Sequence, residues 1–122
     1  MAAVASIIAI VLFLAFATAG AQKVLFNPMM SQAADHLGFT KKAYQRVGVL
    51  EIAGAIGVLV GLAAKGSSPW AIINEAAALG LAVTMALAVF YHIKQRDAAK
   101  LFTPALVLGI LSLIELGLRL AQ

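Results

Sequence analysis

Glu51 lies several residues inside the apolar, glycine-studded stretch Arg46-Val-Gly-Val-Leu-Glu51-Ile-Ala-Gly54-Ala-Ile-Gly57-Val-Leu-Val-Gly61. A carboxylate in such a setting needs a donor or a cation within reach, because burying it unpaired is costly. Arg46 is about 7 Å away along a helix and, five residues distant, on a different face. A neighbouring helix is the better source of a partner, and Lys23 and His92 fall at matching depth once the chain is laid out in spans. Tyr91 adds a phenol beside His92. Two chemistries fit Lys23, Arg46, Glu51, Tyr91 and His92. They hold a ligand or handle protons, as ionisable groups inside a membrane span do by default. Alternatively they are an interhelical polar lock among helices of small residues. As acid–base partners, Glu51 and His92 must meet within hydrogen-bond reach, or across one water of a shared cavity.

A second polar layer holds Asn74 and Glu75 in one apolar segment and Glu115 and Arg119 in another. Glu115 and Arg119 are four residues apart, the order and spacing of an intrahelical ion pair. Lys65 and water are the expected partners of Glu75. Asn74 and His92 are eighteen residues apart, five full turns, so they share a helix face with Met85 near the same line. Such a stripe lines a cavity or packs a helix.

Several chemistries are left without residues to perform them. There is no cysteine, which removes thiolate catalysis, disulfides and iron–sulfur ligation. Two histidines, His36 and His92, are too few and too separate in setting for a zinc site, so no metal is assigned. No phosphate-binding glycine loop, nucleophile elbow or hydrolytic triad is present. The cofactor, if there is one, stays unassigned.

The elements that position these groups follow from composition. Of 122 residues, 63% are hydrophobic and 11% charged, against soluble averages of roughly 45–50% and 25%. The mean hydropathy is +1.00. Charges separate apolar blocks long enough to cross a hydrocarbon core of ~30 Å. Spans are predicted at about 2–22, 44–64, 70–93 and 102–121, in one membrane domain covering 1–122. The first has no Lys or Arg before it and is long for a signal peptide, so it is read as an uncleaved helix. Asn27-Pro28 opens a short helix over 28–37 that Gly38 ends, lying along the interface. A lid over a site between the spans is the functional alternative for it. Thr40 caps the next helix, and Lys65-Gly-Ser-Ser-Pro69 is a tight connection. Gly57-x-x-x-Gly61 is a small-residue seam that permits close helix approach. Pro104 is placed in the first turn of the last helix.

The connections 23–46 and 94–100 carry Lys23, Lys41, Lys42, Arg46, Lys94, Arg96 and Lys100, whereas the other side has only Lys65 and Arg119. That bias predicts a cytoplasmic membrane protein with loops 23–43 and 94–101 inside and both termini outside. The fold class is all-α, an up-down-up-down four-helix membrane bundle. The partner is the lipid bilayer. The net charge of +4 belongs to membrane-flanking loops rather than to a nucleic-acid surface.

Gly20-x-x-Lys23 closing the first span, Arg46-x-Gly48-x-x-Glu51 entering a glycine-rich second one, and His92 ending the third resemble the DoxX-like small membrane proteins. The resemblance covers most of the chain and implies a four-helix bacterial membrane protein. Lys23, Arg46, Glu51 and His92 are its family-like polar positions. Relatives of a thiosulfate:quinone oxidoreductase subunit give the family its name, and some members are linked to oxidative-stress complexes. Without cysteine, this chain does no thiol chemistry itself. Three functions follow as expectations. One is a bundle that binds a lipophilic, quinone-like molecule or supports a redox or stress-response partner in the membrane. The second is an intramembrane enzyme with Glu51 and His92 as its acid–base pair. The third is a structural subunit that forms a homo-oligomer through the glycine seam.

Overall fold

The computed structural model describes residues 2–63 and 68–121. The connection at Lys65 therefore lies outside the described residues. Helix α1 spans Ala2–Leu25, α2 Pro28–Leu37, α3 Lys41–Leu59 with a 3₁₀ turn at Val60–Ala63, α4 Pro69–Lys94 and α5 Ala99–Leu120. There is no strand among the described residues. Four of the helices are long and apolar enough to cross a membrane. Their outward faces carry Ile7, Leu14, Leu50, Ile72, Leu87, Phe90 and Leu113, each more than half exposed. So continuous an apolar surface is unfavourable in water and ordinary against lipid.

Local signals set the helix ends. Asn27 Oδ1 accepts from the Met30 amide at 3.0 Å, and Thr40 Oγ1 accepts from the Ala43 amide at 3.1 Å. Gly38 stops α2 in the left-handed region at φ 86°, which lets the Phe39 amide bond back to the Ala34 carbonyl at 2.8 Å. The first helix runs past the expected end at residue 22 and takes in Lys23, whose charge suits a helix C-terminus. Helix α5 begins at Ala99, so Pro104 is inside it rather than in its first turn.

The four long helices close a ring: α1 packs on α3, α3 on α4, α4 on α5, and α5 back on α1. Each neighbouring pair in chain order is antiparallel. Gly54 faces Leu81, Gly57 faces Ala77, and Gly61 faces Asn74. The glycine seam of α3 is thus covered by α4 within one chain, not left open for a second copy. The core is built mainly by Ala9, Leu12 and Phe16 from α1, Ala55 and Val58 from α3, and Ala78, Leu81 and Met85 from α4. With so many small side chains, the close approach of backbones replaces side-chain bulk.

Candidate functional site

The site starts where α1 crosses α3. A Cβ on Gly20 would fall 2.5 Å from the Gly48 carbonyl oxygen, and one on Gly48 would fall 2.7 Å from that of Gly20. Neither atom is the movable end of a side chain, so only glycine allows this contact. Lys23 and Glu51 each follow their glycine by three residues. On antiparallel helices that places their Cα atoms about 9 Å apart along the axis. Helical side chains lean toward their own N-terminus, and here the two leanings point at each other. The gap closes: Lys23 Nζ lies 3.0 Å from Glu51 Oε1 and 3.3 Å from Oε2. Glu51 is 1% exposed. The ammonium bonds to Oε2, so Oε1 has proximity to the charge but no directed donor. Lys23 also sits 5.5 Å from the centre of the Tyr44 ring, and Gln45 Nε2 donates to the Val24 carbonyl at 2.8 Å. The crossing is therefore stitched again where the end of α1 meets the start of α3.

Glu51 and Lys23 line one wall of a cavity of about 390 Å³ among α1, α3, α4 and α5. Phe16, Met85, Ala105 and Leu108 make its apolar depth, and His92 and Tyr91 share its lining. Leu37 and Phe39, either side of the Gly38 turn, also border it. Phe39 lies between Tyr44 at 5.6 Å and Tyr91 at 4.8 Å, ring centre to ring centre. These rings tie the segment after α2 to α3 and α4. The dimension suits a small organic molecule.

His92 reaches this cavity with its other edge already engaged. Its Nδ1 lies 2.7 Å from Asp97 Oδ2, and Asp97 Oδ1 lies 2.7 Å from His36 Nε2. His92 therefore does not pair with Glu51; the two groups share the cavity, and each has its own counter-charge or acceptor. Asp97 comes back over the end of α4 because Arg96 turns left-handed at φ 57°. Its own amide then bonds to the His92 carbonyl at 3.0 Å. The hydrogen bond from His92 is the largest influence holding the Asp97 carboxyl below the usual carboxylate range; lost hydration opposes it in part, and a weaker bond from His36 adds to it. His36, near the end of α2, is the side chain that fastens α2 to this turn. The two histidines that appear unrelated in sequence thus meet at one carboxylate. Among the described residues no set of three acidic or imidazole groups could hold a metal ion.

Arg46 stands apart, exposed and outside the cavity lining. A helix repeat explains it: five residues carry it away from the face on which Glu51 is buried. The structure adds Asp97, His36, Tyr44 and Gln45 to the residues that pattern alone selects. Asp97 had one legible signal, as the sole acid in the basic connection after α4.

At the far end of the bundle, Asn74, Glu115 and Arg119 come together. Asn74 Nδ2 donates to the Val58 carbonyl at 2.8 Å and to Glu115 Oε1 at 3.2 Å, and Arg119 Nε donates to the same oxygen at 2.9 Å. All three are buried, Asn74 and Glu115 completely. Gly61 makes room, since any Cβ there would overlap the Asn74 amide. Asn74 thereby satisfies a carbonyl freed where α3 tightens into its 3₁₀ turn. Glu75 is half-buried and takes no part in this group; its expected neighbour Lys65 lies outside the described residues. At this end α3, α4 and α5 are joined through one buried polar cluster.

Comparison with curated proteins and with solved structures finds no match. A family model does match, over residues 7–114, a range that takes in the glycine crossing, the Lys23–Glu51 pair, Asp97 and nearly all of the ring of helices. On that match, this small integral membrane protein belongs to the DoxX-like family.

Proposed function

We propose that the cavity beside Glu51 binds an uncharged, lipophilic small molecule entering from the bilayer. The observation that carries this is the wall: an ion pair of opposite charges set into a mainly apolar cavity of about 390 Å³. The pair supplies a donor and an acceptor without net charge, so a polar but neutral head fits and a charged one gains nothing. Quinone-like heads belong to this class, and such a protein would serve a redox or stress-response partner in the same membrane. The proposed location is the cytoplasmic membrane with the α2 end inside.

The test uses purified protein in lipid nanodiscs with a short-chain quinone as probe. Ala105→Phe, which fills the apolar depth, should abolish binding while the melting temperature is kept or raised. Glu51→Gln should leave a folded bundle with altered binding. Unchanged binding in both variants, with only stability lowered, would sink the proposal in favour of a packing lock.

A second reading rests on Glu51 and His92 lining the same cavity. In it the bundle is an enzyme and the two groups exchange protons with a bound lipophile. Conversion of a bound compound that stops in both Glu51→Gln and His92→Gln, with binding retained, would favour this reading over simple binding.

A further inference from the structure

We infer that the cavity selects a lipophilic hydroxyl compound, whose O–H donates to Nε2 of His92. This rests on the binding reading above and names the head group that the site takes. An ionised carboxylate is an acceptor only. Asp97 faces two imidazoles at 2.7 Å, one through each oxygen, so each facing nitrogen must carry the hydrogen. His36 is then protonated on Nε2 and His92 on Nδ1. In a neutral ring a proton on one nitrogen makes the other an acceptor. Nε2 of His92 has no hydrogen-bond partner among the described residues, and the ring borders the cavity.

The acceptor is held in place from behind. Asp97 is 6% exposed at its side chain, its backbone is tied to the His92 carbonyl, and His36 occupies its second oxygen. The carboxylate cannot swing away without breaking its bonds to both imidazoles, so the His92 ring keeps one tautomer and one orientation. Asp97 and His36 are positioning residues, and neither borders the cavity. The remaining polar wall completes the match. Lys23 offers a donor to a lone pair on the head, while Phe39, Tyr44 and Tyr91 surround it with rings. A molecule with only acceptor atoms leaves Nε2 buried against it without a donor, which costs affinity.

The experiment has two readouts on the whole protein in nanodiscs. The chain has two histidines, so ¹⁵N-histidine labelling gives two ring systems, assigned by His92→Gln. The expected result is opposite tautomers, Nε2–H for His36 and Nδ1–H for His92. Titration then compares 4-octylphenol with its methyl ether, which keeps the ring and chain but cannot donate. The phenol should bind about tenfold more tightly, the worth of one neutral hydrogen bond, and should shift the His92 Nε2 resonance, whereas the ether should not. Asp97→Asn should release the tautomer and bring the two affinities close to parity. A His92 ring that is Nε2–H or doubly protonated at neutral pH would overturn the inference without any ligand. Equal binding of both compounds would overturn it and leave the binding reading standing. Binding of neither would overturn both.

Discussion

Lys23 and Glu51 form a buried pair in which the two members are unequally placed. The lysine side chain is 17% exposed and the carboxylate 1%. Removing the lysine strands a charge that water cannot reach, whereas removing the carboxylate leaves an ammonium with a route to the interface. Lys23→Met should therefore cost about 3–5 kcal/mol, the range seen when one partner of a buried pair is lost. Adding Glu51→Gln to it should restore part of that loss. Thermal unfolding in a mild detergent checks this, and a double variant less stable than Lys23→Met would count against a true pair. Asp97 gives a prediction of a different kind. Its carboxyl is held below the ordinary range when folded, chiefly by the hydrogen bond from His92. Its contribution is therefore fully present above the unfolded value of about 3.9. It disappears as pH falls through the lower folded value. Wild type should exceed Asp97→Asn in melting temperature near neutrality, and that advantage should vanish in strong acid. A constant difference down to pH 2 would show that Asp97 acts otherwise.

Among the elements, the α1–α3 crossing decides where the site stands. Gly20 and Gly48 present backbone to backbone, so even one methyl group meets a carbonyl that cannot rotate away. Gly20→Ala and Gly48→Ala should each lower stability by about 1–3 kcal/mol, the cost of overpacking, and should weaken the Lys23–Glu51 contact. Gly80→Ala is the control: nothing lies within 4 Å of its added Cβ, and alanine favours a helix by about 1 kcal/mol over glycine. Melting curves of the three variants should therefore diverge in sign. Much of this element was legible from the chain, because glycine and charge recur at the same spacing in both helices. The helices themselves were equally legible, through apolar length and the Asn27, Gly38 and Thr40 end signals. The Asp97 hub was not. Its partner His36 is 61 residues away, and its approach to His92 depends on a left-handed turn at Arg96, a residue type that does not announce one. Likewise Asn74 and Glu115 are 41 residues apart, and the spacing of Glu115 and Arg119 spoke only for a pair within one helix.

The whole molecule is asymmetric about the membrane plane. One end holds the cavity, the rings of Phe39, Tyr44 and Tyr91, α2 and the Asp97 turn; the other holds the buried Asn74–Glu115–Arg119 cluster. The charge bias sharpens once burial is known, because Arg119 is 6% exposed and paired to Glu115. It is a packing charge and should be dropped from the interfacial count. Lys41, Lys42, Lys94, Arg96 and Lys100 are all exposed on the α2 side. On the rule that exposed cations stay on the cytoplasmic face, the orientation proposed above puts the cavity end inside. It follows that the polar head of a bound lipophile would sit at the inner leaflet, within reach of cytoplasmic partners. The absence of cysteine makes this direct to measure. Single variants Gln32→Cys, on the exposed side of α2, and Gln95→Cys, in the turn after α4, should resist a membrane-impermeant maleimide in intact cells. Both should react once the membrane is permeabilised. Ala121→Cys, just past the end of α5, should react in intact cells. The opposite pattern would invert the bundle, put the cavity at the outer leaflet, and move the search for its partner to the other side of the membrane.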